Sequence, residues 1–419
     1  MRKVFLGYTD ISKNLHYLKE GMEKLGYDVW LFDYNNSHIN SPLNKLFIKF
    51  RNKIHSSRSI NSLIYKTCYF FIRIFVFANI LLFRKTIIIS FAGTLFNYKE
   101  LYWFRLFRKN VIYWFHGSDS RPPYLNKVYK AVSEDNNSYA YMRLKTKQIY
   151  SNIKKIEKHV DLIICPISHS QFFEKKIIDP IFIGKPFSLK KNIGCTKSNF
   201  PDKTGIKILH APSKKDIKGS PKIAATIKKL NSIGIEINYL ELTGVEHNDV
   251  LNAIKESDLI IDQLYSDILI PSITKEAGYL GKPVLLAGYF MDIYKHPVFS
   301  NHIPPLYHCE PENIEEKLTS ILYNLNDLKK QGLFMQKYFS EHFNALLVAK
   351  RLISLTDKGI FESLALCPTD FNYIYGCGYN KREVLHVIKN YIIHNGIDSL
   401  YLNHNLTIKD KIVNSVKNA

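Results

Sequence analysis

Apolar residues along the chain form short runs, and each run is followed by a loop and a segment with apolar residues at helical spacing. The run Lys3–Gly7, for example, precedes Leu15, Leu18, Met22 and Leu25. Continuous apolar runs are typical of strands buried on both faces, and their alternation with helices indicates a parallel sheet covered on both sides. The predicted strands of this first block are Lys3–Gly7, Tyr27–Phe32, Thr86–Phe91, Val111–Phe115, Asp161–Cys165 and Ile181–Gly184.

The helices predicted between these strands include one unusually long region. Their ranges are Ile11–Leu25, Leu43–Phe83, Tyr98–Arg108, Tyr139–His159 and Ser168–Lys176.

A second alternating block follows a break in the pattern at Lys185–Thr204, which is rich in Lys, Asn, Ser, Gly and Pro. Its predicted strands are Ile206–His210, Ile237–Leu242, Leu259–Gln263 and Pro283–Leu286. Its predicted helices are Pro221–Ile233, Asn248–Glu256, Ser272–Leu280, Glu312–Leu325 and Tyr338–Leu355.

The two blocks predict an α/β protein with two tandem Rossmann-like, doubly wound domains that face a central cleft. The 419 residues divide into an N-terminal domain (1–185), a linker (186–204) and a C-terminal domain (205–336). A closing helix (337–356) and a helical C-terminal extension of unknown role (357–419) follow. In such sheets ligands bind at the carboxyl ends of the strands, so the loops there are the candidate sites.

Composition narrows the class of protein further. The chain is 46% hydrophobic and 23% charged, which is typical of globular proteins and excludes wholesale disorder. Its six cysteines contain no C-x-x-C pair, which argues against a disulfide scaffold or a zinc site and favours a reducing compartment. The N-terminus does not have the pattern of a signal peptide, so we expect a cytoplasmic chain.

The net charge of +21 indicates an anionic partner, and the basic residues are unevenly placed. Between Asp33 and Asp119 the only acidic residue is Glu100, and Lys and Arg alternate there with aromatic and aliphatic residues. This pattern favours peripheral docking on an anionic membrane surface, at the inner face of the cell membrane. A core helix with a solvated basic face is the alternative, and a span at Thr67–Phe83 is disfavoured by its length and by Arg73. Nucleic acid is not expected as a partner, because no recognition motif accompanies the charge.

Three loops at predicted strand ends carry candidate chemistry. The loop His210–Ser220 brings Lys215, Lys218 and Gly219 to the start of a helix, an arrangement that suits a diphosphate. Glu276 is expected in the first turn of a later helix, where a carboxylate can accept hydrogen bonds from a ribose diol. The loop after Val111–Phe115 offers three groups for proton transfer or anion contact, namely His116, Asp119 and Arg121.

Taken in order, these motifs resemble the glycosyltransferases of the GT-B fold, nearest the family 4 type that builds bacterial surface polysaccharides. The donor-domain motifs are His-Ala-Pro-Ser…Lys-Gly at His210–Gly219, Asp-Gln-Leu at Asp262–Leu264, and Lys-Glu-Ala-Gly-Tyr-Leu-Gly-Lys-Pro-Val at Lys275–Val284. His-Gly-Ser-Asp-Ser-Arg at His116–Arg121 is similar to the matching acceptor-domain motif. The resemblance covers about residues 1–356.

The resemblance implies a hexosyl-type transfer, with retention, from a nucleotide-diphosphate-sugar to a lipid-linked or polysaccharide acceptor. It implies that the N-terminal domain binds the acceptor and that the C-terminal domain binds the donor. Lys215, Lys218 and Gly219 would hold the diphosphate, Glu276 the ribose, and Gly7 would allow the donor a close backbone approach. His116 and Asp119 would be the catalytic residues and Arg121 an acceptor or phosphate contact. The family needs no cofactor or metal, because cationic side chains neutralise the diphosphate.

The sequence departs from the family pattern at two positions. Ile268 stands where the family often has a second glutamate, eight residues before Glu276, and lysine replaces the usual arginine of the phosphate pair. Lysine is a point charge and cannot form the two-pronged contact of a guanidinium. A nucleotide-sugar epimerase and a non-catalytic scaffold of a polysaccharide-assembly complex are therefore kept as alternatives.

Two other enzyme classes are disfavoured. No G-x-G-x-x-G motif follows the first strand, as a dinucleotide-dependent dehydrogenase would require. Ser118 lacks the glycine of a serine hydrolase's nucleophile elbow.

Overall fold

Two five-stranded parallel sheets organise the chain, one in each half of the sequence. The computed structural model describes residues 2–35, 41–56, 61–91, 93–130, 136–188 and 205–417. The predicted fold class, α/β with two tandem Rossmann-like domains and a short helical extension, is confirmed. Most of the predicted linker, residues 189–204, lies outside the described residues, as does Cys195.

The N-terminal sheet has the strand order β2-β1-β3-β4-β5, and all of its pairings are parallel. Its central strands are apolar and buried on both faces, because helices cover each side. The strands are β1 (Lys3–Tyr8), β2 (Asp28–Asp33), β3 (Thr86–Ser90), β4 (Asn110–Trp114) and β5 (Leu162–Ile164). The helices are α1 (Asn14–Lys24), α2 (Pro42–Ser56), α3 (Asn61–Phe83), α4 (Glu100–Leu106), α5 (Asn136–His159) and α6 (Pro180–Ile183).

The C-terminal sheet repeats this topology with the order β10-β9-β8-β6-β7. Its strands are β6 (Ile206–His210), β7 (Ile237–Glu241), β8 (Leu259–Ile261), β9 (Val284–Ala287) and β10 (Tyr307–Cys309). Its helices are α7 (Lys215–Lys218), α8 (Ser220–Ser232), α9 (His247–Glu256), α10 (Ser272–Tyr279), α11 (Met291–Tyr294), α12 (Ile314–Leu322) and α13 (Leu325–His342). In both sheets the second strand lies outside the first, so the strand order reverses at β1/β3 and at β6/β8. A crevice opens where the order reverses, and ligands bind there.

The chain then returns to the N-terminal domain. Helix α14 (Ala345–Ser354) packs on α1 so closely that a Cβ on Gly21 would lie 2.1 Å from the carbonyl oxygen of Ala345. The remaining helices are α15 (Lys358–Leu364), α16 (Lys381–Asn395) and α17 (Leu406–Lys417), and α16 packs on α5.

Several element predictions were wrong. Residues 180–183 form helix α6 and not a strand, because the Asp179 carboxylate caps the Ile181 N–H and Pro180 starts the helix. The predicted helix Ser168–Lys176 is a single 3-10 turn at Ile167–His169. The helix predicted at Tyr338–Leu355 is two helices, since the Asn344 side chain caps a new start. The region Leu43–Phe83 holds two helices, α2 and α3, and residues 57–60 between them lie outside the described residues. Strand β10 was missed.

Candidate functional site

The reversal of strand order in the C-terminal sheet brings two candidate loops together. The loop after β6 ends in the single turn α7, and the loop after β8 begins with Asp262 and Gln263. The Leu264 N–H donates to the Lys218 carbonyl at 2.9 Å, which joins the two loops. The lysines predicted from the sequence therefore lie where a doubly wound sheet binds ligands.

Lys218 reaches across this crevice. Its ammonium donates to the Gln263 amide oxygen and lies 3.3 Å from Asp262 Oδ1, and its side chain is 18% exposed. The other Asp262 oxygen accepts from the backbone N–H and the hydroxyl of Thr274, at 3.0 and 2.7 Å. Asp262 thus connects the Lys218 loop to the first turn of α10.

Glu276 lies on the same helix, two residues beyond Thr274. It is the fifth residue of α10 and therefore lies in the second turn of the helix, so its prediction in the first turn was wrong. Its carboxylate is 6% exposed and pairs with Nε2 of His247 at 2.9 Å, at the start of α9. His247 was not predicted as a site residue, although its place just after a strand loop was a usable signal.

Lys215 and Gly219 lie at the two ends of the α7 turn. Lys215 is 59% exposed and pairs with Glu241 at the end of β7, at 2.7 Å. Gly219 has a φ of 75°, and a Cβ there would lie 2.6 Å from the Cβ of Leu264. The close crossing of these loops therefore requires glycine at position 219.

His116 faces the cleft from the end of β4. Its Nε2 is 2.8 Å from the Ser90 hydroxyl, and its ring stacks on Trp114. Desolvation, aided by Lys185 and Lys275, lowers its pKa to about 3, so the ring is neutral at ordinary pH. A neutral imidazole can exchange hydrogen bonds with a sugar hydroxyl.

Asp119 shapes the His116 loop. Its carboxylate accepts the N–H of His116 at 3.0 Å and that of Gly117 at 2.8 Å. Burial raises its pKa to about 6, and these backbone donors oppose the rise. The observed contacts make Asp119 a group that orients His116.

Gly7 lies inside β1, between β2 and β3. A Cβ at this position would lie 2.6 Å from the ring of Phe5, so packing within the domain by itself accounts for the glycine.

Arg121 takes part in a buried charge cluster that joins the two domains. Its Nε donates to Asp267 Oδ2 at 2.5 Å, and Nε2 of His169 lies 2.9 Å from the same oxygen. Burial favours the neutral acid, but Arg121 and His169 hold the pKa of Asp267 below its usual range. The structure thus places Arg121 in an interdomain ion pair, and no pattern in the sequence indicated its partner Asp267.

Part of the C-terminal extension covers this cluster. Residues 371–380, here called the C-terminal strap, contact both domains: the Cys377 N–H donates to the Leu125 carbonyl at 2.9 Å, and the Gly378 N–H donates to the Tyr265 carbonyl at 3.1 Å. Tyr373 is buried beside the cluster. The side of the cleft next to β4 and β5 is therefore closed by the protein's own chain.

Two further lysines in the cleft were not selected from the sequence. Lys275, on α10, is 1% exposed and donates to the Asn14 amide oxygen at 3.2 Å and to the Pro186 carbonyl at 3.4 Å. Lys185 donates to the Ile270 carbonyl at 2.7 Å, just before α10 begins. Burial lowers the pKa of each to about 8, and each lysine also lowers the pKa of His116.

The outer face of the N-terminal domain is apolar. Helix α3 buries Ile72, Val76 and Ile80 against the core, at a spacing of one helical turn. Its other side is exposed and continues onto α4. We call this surface the apolar face; its residues are Leu63, Ile64, Phe70, Phe71, Ile74, Phe75, Leu82, Phe83, Tyr102, Trp103, Leu106 and Phe107.

Helix α3 also contains a segment, Leu63–Phe83, that by length and composition alone could cross a membrane. Only 11% of its most apolar window is buried. The alternative of a core helix with a solvated basic face therefore does not describe α3.

Two other features bear on where a metal ion or a ligand could bind. In the part of the chain that the structure describes, no group of three or more His, Cys, Asp or Glu side chains could hold a metal ion. A cavity of about 440 Å³ beside the ends of β9 and β10 is lined by side chains of both charges, among them Lys295, Lys317, Glu310 and Glu316. None of the residues predicted from the sequence lines it.

No protein-family model matches the sequence, and no curated protein sequence does. Several solved structures are similar in fold. HepE from Anabaena, in complex with UDP-glucose, is 12% identical, with 85% of this chain and 99% of that one covered at a TM-score of 0.45. MurG from Acinetobacter baumannii is 10% identical (85% and 100% covered, TM-score 0.43), and the glycosyltransferase SnogD from Streptomyces nogalater is 12% identical (85% and 99% covered, TM-score 0.39). At these identities and TM-scores the likeness concerns the chain fold and does not extend to substrates.

Proposed function

We propose that this protein is a glycosyltransferase that takes a sugar from a nucleotide-diphosphate-sugar. The observation that carries the proposal is the contact of Lys218 with Asp262 and Gln263 where the strand order reverses, with Asp262 joined through Thr274 to the helix that carries Glu276. A cation and a carboxylate are thereby held at one edge of one sheet. They match the two ends of a nucleoside diphosphate, its phosphates and its ribose.

The chemistry of transfer assigns a task to each group. Negative charge develops on the diphosphate as the sugar leaves, and a fixed cation next to it stabilises the transition state. Lys218 supplies that cation, with Lys215 nearby at the mouth of the loop, so that no metal or other cofactor is required. Neutral His116 contacts the sugar, and retention of configuration follows the family that the motifs resemble.

The acceptor side of the proposal rests on the apolar face. Between Asp33 and Asp119 the one acidic residue, Glu100, is buried, whereas Lys66, Lys85, Arg105 and Arg108 are exposed around the apolar side chains. Such a surface suits peripheral docking on the anionic cytoplasmic face of a membrane. A spanning α3 would lose the packing of its buried stripe, so we favour docking, with a lipid-linked or surface-polysaccharide acceptor.

A thermal-shift screen of UDP, GDP, ADP and CDP with their sugar conjugates tests the donor site. A nucleotide that binds only the native state raises the melting temperature. We expect one base to give a saturable shift that Lys218→Ala abolishes and that Lys222→Ala, on neighbouring α8, leaves intact. Absence of any saturable shift would favour the scaffold alternative. Conversion of the donor sugar without an acceptor would favour the epimerase.

Vesicle flotation tests the docking surface. The double variant Phe71→Ser/Phe75→Ser should lose binding to anionic vesicles, whereas Phe334→Ser, an equally exposed phenylalanine on α13, should not. Binding should also weaken as salt shortens the Debye length below ~10 Å. Equal binding by the wild-type protein, the double variant and Phe334→Ser would refute docking through the apolar face.

A further inference from the structure

Lys185 and Lys275 are close neighbours in the middle of the cleft. Lys275 projects from α10 toward the linker and contacts the carbonyl of Pro186, the residue after Lys185. Lys185 in turn contacts the carbonyl of Ile270, two residues before α10 begins. The contacts of both side chains therefore lie near the N-terminal end of α10.

Among the described residues, no carboxylate forms an ion pair with either ammonium. Within the described residues the partners of Lys275 are an amide oxygen, a carbonyl and the rings of Tyr17 and Phe187. The observed partner of Lys185 is a carbonyl. Carboxylates act on both lysines only from farther away: Asp10 and Glu276 on Lys275, and Asp179, Asp262 and Asp267 on Lys185.

Two cations held together at low solvent exposure are costly unless an anion joins them. Taking an ammonium out of water costs several kcal/mol, and neutral oxygens recover only part of this. Each lysine also repels the other, which adds to the cost. The beginning of α10 contributes a partial positive charge to the same place.

The position of the pair relates it to the substrate. Lys275 precedes Glu276 on α10, and both lysines act electrostatically on His116 across the cleft. The family's second glutamate is replaced here by Ile268, which lines the small cavity beside Lys185. In the family that the sequence resembles, a carboxylate at this place would bind sugar hydroxyls. Here the middle of the cleft has cations and an apolar side chain instead.

We infer that Lys185 and Lys275 form an anion-binding pair that holds a negatively charged oxygen group of the bound nucleotide-sugar in the middle of the cleft. The group is either the diphosphate itself or a carboxylate on the transferred sugar. The inference rests on the proposed function and deepens it, since a carboxylate would make the donor a nucleotide-linked uronic acid.

Equilibrium binding to Lys275→Met and Lys185→Met tests the pair. The ligands are the nucleoside diphosphate selected by the screen, its glucose conjugate and its glucuronate conjugate. Lys282→Met is the matched control. Lys282 is also a buried lysine, but it forms no ion pair with a described cleft residue of either domain. Two controls address misfolding. Lys275→Arg keeps the charge at this position, and circular dichroism shows whether each variant is folded.

The outcomes separate the two sources of the anion. A loss of at least ten-fold in affinity for all three ligands, in both Met variants, identifies the diphosphate. A loss confined to the glucuronate conjugate identifies a sugar carboxylate. Wild-type affinities for all three ligands in both variants would overturn the inference while the donor site stands. If the wild-type protein binds no nucleotide, the proposed function fails, and the inference fails with it.

Discussion

The two sides of the cleft use charged loops at strand ends in opposite ways. On the β6/β7 side, Lys218, Lys215 and Glu276 have partners within their own domain, and the two lysines keep part of their surface open. On the β4/β5 side, Arg121 is paired across the domains with Asp267, and the C-terminal strap covers the pair. The proposed donor site would exchange its partners for a ligand, whereas the pair of Arg121 and Asp267 joins the two domains.

The comparison shows that a basic residue in a strand-end loop is not by itself evidence of a binding site. In the sequence, Arg121 and Lys218 are both basic residues in loops that follow predicted strands, and both were predicted to bind a substrate group. The two residues differ in which domain supplies the counter-charge and in whether solvent reaches the pair. The second difference matters because removing one partner of a buried pair leaves an uncompensated charge. Variants on the two sides should therefore affect different properties.

The largest effect is expected from Asp267→Ala, which leaves Arg121 buried without its counter-charge. The free energy of unfolding should fall by about 3–5 kcal/mol, measured by urea titration. The control Asp292→Ala removes an exposed, weakly paired aspartate and should change stability little. Equal stability of the two variants would mean that the interdomain pair does not hold the cleft closed.

Lys218→Ala should act on activity more than on stability. We expect a loss of about 2–4 kcal/mol of transition-state stabilisation, by analogy with the removal of one oxyanion-hole donor. The ratio kcat/KM measured with the identified donor provides the test. Turnover at the wild-type rate would exclude Lys218 from the mechanism.

Gly376→Ala tests the strap. A Cβ there would lie 1.8 Å from the Leu125 carbonyl oxygen, so the strap must shift, at a cost of about 1–3 kcal/mol. Gly396→Ala is the control. Its backbone φ is similarly positive, but no atom lies within 4 Å of the added Cβ, so this variant has the backbone strain without the clash. Limited proteolysis should cut the first variant sooner; identical cleavage rates would contradict a fixed strap.

The cleft lysines predict opposite pH trends for binding and stability. Both have a pKa of about 8, so donor affinity should fall between pH 7 and pH 9 as they lose charge, by about ten-fold for one lost ion pair. Stability should rise over the same interval, because an unfolded lysine still holds its proton there.

The groups that face these lysines are acidic and lie on several elements: Asp10 and Glu276 for Lys275, and Asp179, Asp262 and Asp267 for Lys185. The pKa of Asp10 is raised only to about 6 and that of Asp267 is held below its usual range, so these two groups stay largely ionised between pH 7 and pH 9 and do not produce either trend. Calorimetric affinities and urea titrations of the wild type and Lys275→Met provide the test, since the variant should show flatter curves for both. If the curves of the wild type and of Lys275→Met were parallel, the pH dependence of binding and stability would come from other groups.

The smallest effect is expected from Lys215→Ala. Its pair with Glu241 is exposed, and such pairs contribute at most about 1 kcal/mol. Stability should hardly change, and donor affinity should fall by less than about ten-fold. A loss as large as that of Lys218→Ala would show that Lys215 moves onto the ligand.

The fold was predictable because it depends on local patterns. Buried strands such as Ile87–Ile89 are continuous apolar runs, and α1 and α8 show helical spacing between them. The errors arose in short elements. The Asp179-Pro180 pair was a readable helix start that was overlooked, and the three residues of β10 are too few to show a period.

The candidate site was predictable only in part. The loops that carry Lys218 and Glu276 follow from the alternation of strands and helices, because parallel strands end at one edge. The pairings of Lys218, Glu276 and Arg121 did not follow, since their partners Asp262, His247 and Asp267 are distant from them in sequence.

By itself, then, the sequence determined the α/β class, the two-sheet architecture, the basic and apolar N-terminal surface, and the loops in which chemistry could lie. Only the tertiary structure decided which charges meet. It paired Arg121 with Asp267, joined Lys218 to Asp262, and brought Lys185 and Lys275 together near the start of α10. The reason is physical: hydrophobic periodicity is a local property of the chain, whereas burial and electrostatic pairing depend on which distant segments pack together.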